Sequence, residues 1–337
     1  MLKRLSGILL LLYAITFSVG AVAGKPEKAD VVIAVGGISG MYYLPLALAD
    51  RLGYFKAEGL NVEIADFAGG SKALQAMMGG SADVTAGGFD HVITLQARGQ
   101  NVQSFVLMLT VPAIELGMVT SKVGSYRSAK DLKGMKIGVT APGSTTHMFV
   151  NRMLKLAGLA PDDVAIIGIG SGPTAVAAVR AGQVDALANV EPVISMLEHF
   201  GAIKVVAESI TEQGSKAIFG DKLPSGCLYS KQEFIQKYPN TVQALANAIV
   251  RALKWLQRSS PDDVAKAVPK EYLLGEPEVY LTALRKSLPT YSPDGAFSSS
   301  AVQAFIEVLG SFDPNVKAAA GLDVRRTYDN KFVAPTR

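Results

Sequence analysis

The chain has 337 residues, 49% hydrophobic and 18% charged, with 33 Lys and Arg against 29 Asp and Glu for a net charge of +4. That length suits two domains with a sizeable core, and a near balance of charge without a basic stripe interleaved with aromatics excludes a nucleic-acid footprint. The single cysteine, Cys227, excludes an internal disulfide and a cysteine-built metal cluster.

Lys3 and Arg4 precede an apolar run over residues 5–19, and Ala21-Val22-Ala23 supplies a small-x-small cleavage pattern. The run is shorter than the ~20 residues a membrane span needs, so residues 1–23 read as a signal peptide cut after Ala23. No cysteine follows the cut, which excludes lipid attachment of the bacterial lipoprotein kind. Losing the two leader cations lowers the net charge from +4 to +2. The mature protein is expected to be free and soluble.

Residues 31–35 form an almost wholly apolar run ending in Gly36-Gly37, as a strand buried on both faces would. A helix is predicted over 42–52, a strand over 61–66, a turn at 67–70, and a helix to Met78 with Ser71 as its cap. A strand at 83–86 and a helix over 90–98 complete three β-loop-α units. The scheme then repeats: strands at 136–139, 164–167 and 185–188, helices over 145–157 and 175–181, and a last helix with Glu191 and Pro192 in its first turn. Residues 226–229 read as a strand in which Cys227 is a buried free thiol rather than a nucleophile.

From about residue 225 the pattern becomes helical. Val242, Leu245, Ala246, Ile249, Leu253 and Leu256 share one face of a long helix, and further helices start at Ser260-Pro261, near Glu276-Pro277 and at residues 298–300. This tail is expected to pack on a first lobe built from residues 28–115 plus 222–337. A second lobe spans 116–221, and the chain crosses between lobes near Glu115 and near Pro224.

Two stretches repeat at one constant spacing. Val62, Ile64, Gly70, Ala73, Ala76, Gly80, Asp83, Ala86, Leu95 and Gly99 each recur 102 positions later, from Val164 to Gly201. One α/β unit used twice makes two facing lobes, with room for a small molecule between them.

Ligands of open α/β sheets bind beyond the carboxyl ends of the strands, where loops meet helix N-termini. Free backbone N–H groups and hydroxyls there hold an anion without any lysine. Ser39, Gly40, Gly70, Ser71, Ser144, Thr145 and Thr146 are the candidates, although a plain cap or turn accounts for each one singly. Tyr42, Tyr43, Phe67 and Phe89 offer flat surfaces to a ligand or to the core. His147 follows the hydroxyl cluster and can donate to an anion or stand in solvent. Asp90 and Glu191 are acidic at matching loops, and either one facing the cleft implies a ligand with a donor group.

Catalytic motifs fail. Residues 37–41 lack the final glycine of a nucleophile elbow, residues 168–173 have Pro173 where a dinucleotide fingerprint needs glycine, and residues 69–72 are not a phosphate loop. The three histidines, His91, His147 and His199, lack metal-ligand spacing. The reading is therefore a non-enzyme with neither cofactor nor metal.

Several segments in order carry a resemblance. They are Leu52-Gly53-Tyr54-Phe55, Glu58-Gly59-Leu60-Asn61-Val62-Glu63, Asp131-Leu132-Lys133-Gly134 before Lys136-Ile137-Gly138-Val139, Gly182-Gln183-Val184-Asp185-Ala186, Glu191-Pro192, and the closing residues 328–333. Together they resemble the nitrate/sulfonate/taurine family of ABC-transporter substrate-binding proteins. The resemblance implies an α/β, type II periplasmic-binding-protein fold, with two lobes joined by a double-crossover hinge and closing on one small polar ligand, an anionic one being favoured. It implies a periplasmic monomer that delivers the ligand to an ABC permease with its ATPase. By the same resemblance the ligand loops are residues 39–42, 69–71, 87–90, 144–147 and 189–191, which adds Asn189 to the candidates. The tryptophan that often precedes the acidic-proline pair is replaced by Val190. Two rivals remain: a pyrimidine-related enzyme on the same lobes, whose cysteine-rich segment and histidine-based iron chemistry one cysteine cannot reproduce, and a ligand-presenting module for a sensor kinase.

Overall fold

The computed structural model describes residues 24–319 and 321–333, and the expected signal peptide lies outside them. Its strands are β1 (Asp30–Val35), β2 (Asn61–Asp66), β3 (Val84–Gly88), β4 (Val102–Leu107), β5 (Glu115–Val119), β6 (Lys136–Val139), β7 (Ala165–Gly168), β8 (Ala186–Asn189), β9 (Ile203–Glu208) and β10 (Gly226–Lys231). They form two five-stranded sheets, ordered β2-β1-β3-β10-β4 and β7-β6-β8-β5-β9. β1 runs parallel to β2 and β3, as β6 does to β7 and β8. β10 lies antiparallel between β3 and β4, and β5 antiparallel between β8 and β9. The two sheets are thus one arrangement built twice, and in each the fourth place is taken by the strand that follows a crossing from the other sheet.

The internal repeat has a physical cause at particular residues. The Asp83 carboxylate accepts from Val32 N at 3.0 Å, and the Asp185 carboxylate accepts from Lys136 N at 2.9 Å. Each aspartate, directly before β3 or just before β8, therefore ties that strand to its parallel neighbour, β1 or β6. Gly80 and Gly182 follow corresponding helices with φ of 85° and 68°, a left-handed turn that costs a glycine little.

Most predicted elements fall where the sequence places them, with two local corrections. Helix Gly70–Met78 is capped by Gly69, not Ser71. Ser71 is its second residue, and its hydroxyl donates to Pro142 O at 2.9 Å in the opposite lobe. Helix Val193–His199 is capped by Pro192 after a cis Glu191–Pro192 peptide, so the acidic-proline pair precedes the first turn. The Glu191 carboxylate still reaches forward to that turn, accepting from Ser195 N at 2.9 Å and Ser195 Oγ at 2.8 Å.

In the tail, helix Pro239–Leu256 buries all six residues of its predicted apolar face to 2% exposure or less. Full burial of a Val, Leu or Ile contributes ~1.5–3 kcal/mol, which fastens this helix to helix Leu44–Arg51 and to β4. Helix Ser299–Gly310 likewise packs on helix Phe89–Ala97 of the first lobe. The expectation that the tail packs on that lobe alone needs correction, because helix Pro277–Ser287 also lies against helix Val193–His199 of the second lobe. Among the described residues no helix is long and apolar enough to cross a membrane.

Candidate ligand-binding site

The carboxyl ends of β1 and β6, and the starts of the helices that follow, converge on a cavity of about 20 Å³ between the lobes. Gly36, Tyr42, Tyr43 and Gly70 line it from the first lobe; Thr140, Ser144, Thr145, Thr146, Ser171 and Val190 line it from the second; Ile114, on the crossing before β5, closes the back. That volume takes about one water. An organic ligand therefore enters only as the lobes part and close around it.

Two helix N-termini meet there. Helices Gly70–Met78 and Thr145–Ala157 both begin at the cavity, and among the described residues the amides of Gly70, Thr145 and Thr146 have no acceptor within the protein. Free N–H groups at opposed helix starts favour negative charge through both hydrogen bonding and the helix dipoles. Burial pushes the Tyr42 and Tyr43 hydroxyls well above their usual range, so both stay neutral phenols. Tyr42 is hydrogen-bonded to Ser225 Oγ at 2.6 Å. The Tyr43 hydroxyl lies 3.6 Å from where a side chain on Gly70 would begin.

Of the sequence candidates, Tyr42, Tyr43, Gly70, Ser144, Thr145 and Thr146 come together on this cavity. Gly40 lies at its edge, against Val190, and Ser39 faces Gly172 across the lobe boundary. Ser71, Asp90 and His147 line a separate groove of about 610 Å³ outside the cavity, which Ser144 also borders. Asp90 is 4% exposed and accepts from Thr145 Oγ1 at 2.8 Å across the lobes. His147 Nδ1 accepts from Gly143 N at 3.0 Å, and burial lowers its affinity for a proton. Phe89 is fully buried, 4.8 Å from the Phe297 ring and 6.4 Å from the Phe305 ring, inside the first lobe. Phe67 is half-buried against the core. Asn189 is fully buried, donating to Gly170 O at 3.0 Å and accepting from Val190 N at 2.9 Å. The Glu191 side chain turns to Ser195 and to Lys286, 3.0 Å away, while its carbonyl accepts from Met41 N at 2.8 Å.

The sequence reading missed Gly36, Ile114, Thr140 and Ser171 as lining residues, while Val190 lies in the 189–191 loop that the resemblance implies. Gly36 directly follows β1 and Thr140 directly follows β6, a correspondence the 102-residue spacing does not carry because these two strands sit outside the repeat. Ile114 lies on a crossing with no motif to mark it.

The lobes touch through very small residues. A Cβ on Gly37 would fall on the Ser171 hydroxyl, one on Gly69 would sit 2.7 Å from Ala141 Cβ, and one on Gly88 would meet Thr145 Oγ1. Ser171 Oγ also donates to Gly36 O at 3.3 Å, and His91 Nε2 to Gly143 O at 3.3 Å. The structure is therefore a closed one, its halves joined by side-chain hydrogen bonds and glycine contacts.

Residues 24–269 match the model of the NMT1-like family. The chain belongs to that family. Among solved structures, a Bordetella bronchiseptica RB50 protein is 49% identical with a TM-score of 0.90, over 92% of this chain and 97% of that one. The alkanesulfonate-binding protein SsuA from Xanthomonas axonopodis pv. citri, bound to MOPS, matches with a TM-score of 0.67 at 22% identity, over 92% and 98%. The periplasmic nitrate-binding protein NrtA from Synechocystis PCC 6803 matches with a TM-score of 0.71 at 14% identity, over 92% and 88%. At such identities the last two likenesses establish the fold, and the chain has the periplasmic-binding-protein fold that its resemblance implies.

Two curated relatives point in different directions. The putative binding protein YtlA of Bacillus subtilis is 24% identical over 285 residues, 81% of this chain and 80% of YtlA. A 4-amino-5-hydroxymethyl-2-methylpyrimidine phosphate synthase of Schizosaccharomyces pombe is 28% identical over 217 residues, 62% of this chain and 60% of the synthase.

Proposed function

We propose that the chain is an exported solute-binding protein that captures a small polar, anionic organic molecule between its lobes and delivers it to an ABC permease with its ATPase. It acts as a periplasmic monomer, after cleavage following Ala23, with lobes of residues 28–115 plus 222–337 and 116–221. The observation that carries this reading is the pairing of two helix N-termini whose amides have no partner among the described residues, Gly70 from one lobe and Thr145 and Thr146 from the other, on one small cavity between the lobes. Capture needs only that ligand contacts favour the closed state over the open one. The ligand-contacting set is Gly70, Thr145 and Thr146 through their amides, Ser144 and Ser171 through hydroxyls, and Tyr42 and Tyr43 as neutral donors. Among the other sequence candidates, Ser71 and Asp90 hold the lobes together, while Asn189 and Glu191 brace the loops behind the cavity.

The similarity to the pyrimidine phosphate synthase favours a second reading, an enzyme on the same lobes. The groups such chemistry would use are engaged elsewhere here: Cys227 is buried with its thiol on Gly87 O and pushed far up its pKa range, and His91 is held between Tyr229 and Gly143.

A thermal-shift screen of residues 24–337 against nitrate, sulfonates, aromatic carboxylates, amino acids and pyrimidines separates the two. A true ligand at a hundred times its dissociation constant adds ~2.7 kcal/mol and is recovered unchanged. Conversion of any stabilising compound to product would replace the capture reading with the enzymatic one, and stabilisation by cationic compounds alone would remove the anion preference.

A further inference from the structure

Behind the cavity sits a charge cluster that the ligand reading does not use. Lys286, in the last turn of helix Pro277–Ser287, places its ammonium 2.5 Å from Glu115 Oε2 and 3.0 Å from Glu191 Oε1. Both glutamates are 1% exposed, and Glu115 Oε1 is buried without a hydrogen-bond partner. Each directly follows a residue of the cavity wall: Glu115 comes after Ile114, and Glu191 after Val190. One ammonium thus grips two segments at the back of the site, the start of β5 and the loop after β8, from a helix that the chain adds only after its second crossing.

We propose that Lys286 is a positioning residue for ligand capture: by joining Glu115 and Glu191 it holds Ile114 and Val190 in place as the back wall of the cleft. This rests on the cleft being the ligand site, as proposed above. Two carboxylates facing one ammonium leave an excess negative charge, which a proton removes. Burial and the Glu191 charge, opposed by Lys286, push the Glu115 carboxyl up to about 8. Because its value in the native state lies above its ordinary one, the protonated wall is favoured at low pH, and that support is lost as pH rises through about 8.

Among the described residues no other charge pairs with the cluster. Glu115 is opposed in register by Asn189 on β8 and by Glu208 on β9, and the Glu208 carboxylate is occupied by Ile210 N, Thr211 N and Thr211 Oγ1. Arg285, next to Lys286, is exposed. Glu278, Glu198 and His199 line a separate surface cavity between the same two helices.

Hydrogen–deuterium exchange of the ligand-free protein tests the wall directly, with nitrate and methanesulfonate titrations run alongside. Lys286→Met is expected to raise exchange at least tenfold in residues 112–118 and 188–195 while leaving β1 and β3 unchanged, and Lys286→Arg to restore it. Glu115→Gln combined with Lys286→Met removes one acid with the lysine and keeps the comparison available if Lys286→Met does not fold. In the wild type, exchange in the two segments, corrected for its intrinsic pH dependence, should rise between pH 7 and 9. In Glu115→Gln that rise should vanish. Uniform destabilisation without enrichment in these segments, or a pH response unchanged in Glu115→Gln, overturns the proposal. Local exchange as expected with neither anion bound leaves the wall assignment standing and removes nitrate and methanesulfonate as ligands, so the two failures are distinct.

Discussion

The contact between Gly37 and Ser171 allows the closed state to be separated from the folded state in one experiment. Gly37 has a φ of 103°, which an L side chain rarely adopts, so Gly37→Ala stores strain whether the lobes are open or closed, ~1–3 kcal/mol. The added Cβ also falls on the Ser171 hydroxyl and 3.0 Å from Ser171 Cβ, but only when the lobes meet. Ser171 must then rotate away and give up its bond to Gly36 O, a loss of ~0.5–1.5 kcal/mol, with some residual crowding. A closure penalty of about 1–2 kcal/mol corresponds to a five- to thirty-fold loss of affinity. Adding Ser171→Ala removes the hydroxyl clash and leaves the strain. Calorimetric titration with the most stabilising compound from the screen, together with thermal melts and with Ser171→Ala alone as the reference for its lost hydroxyl contacts, should show lowered stability in both Gly37→Ala variants and a loss of affinity from Gly37→Ala that is larger with Ser171 present than in the Ser171→Ala background. Full affinity in Gly37→Ala despite a lowered melting temperature would refute closure as the binding step. Joint recovery of stability and affinity in the double variant would refute the assignment of strain to residue 37.

Other outcomes follow from single contacts. Thr145→Val leaves the buried Asp90 carboxylate without its hydroxyl donor and should lower stability in urea by about 1–3 kcal/mol; a change under 0.5 kcal/mol would mean the carboxylate finds water there. Ile249→Ala opens a cavity in the apolar face of helix Pro239–Leu256 and should cost about 2–5 kcal/mol in the same assay. The thiol of Cys227 should resist a thiol-reactive dye until the protein is unfolded, because only the thiolate reacts and burial opposes it; rapid labelling of the native protein would contradict its burial. His147, whose native affinity for protons is lowered by burial, supplies stability that is present above about pH 6.5 and lost as pH falls below it. Its imidazole should titrate by NMR at a midpoint under 6.5, and His147→Gln should flatten the decline in stability from pH 7 to 5.

The sequence made the parallel half of each sheet legible and, of the antiparallel strands, only β10. Strands such as β1 and β6 announce themselves by largely apolar runs followed by small residues, because they are buried in the middle of their sheets and the loops beyond must turn tightly. The repeat could be read because Asp83 and Asp185 perform the same task in each sheet. β4, β5 and β9 carry no comparable punctuation: β4 pairs only with β10, which arrives after the whole second sheet, β5 follows a crossing, and β9 pairs only with β5. The hydroxyl cluster at 144–146 was visible because serine and threonine at a helix start have a local purpose. Phe89 shows the opposite case: an aromatic beside a glycine exit suits a cleft or a core equally, and only the later helix carrying Phe305 decides for the core. Lys286 could not have been found, since its two partners lie 171 and 95 positions earlier and no spacing rule links them.

The placement of β10 has a consequence for how the molecule assembles. By residue 208 every strand of the second sheet has been made, yet the first still lacks the strand that belongs between β3 and β4. A chain emerging from its amino end therefore carries an interrupted first sheet, with two backbone edges facing an unfilled slot, until residues 226–231 arrive to close it. The half that is begun first is completed last, and the protein stays short of its final shape over roughly the first two-thirds of its length.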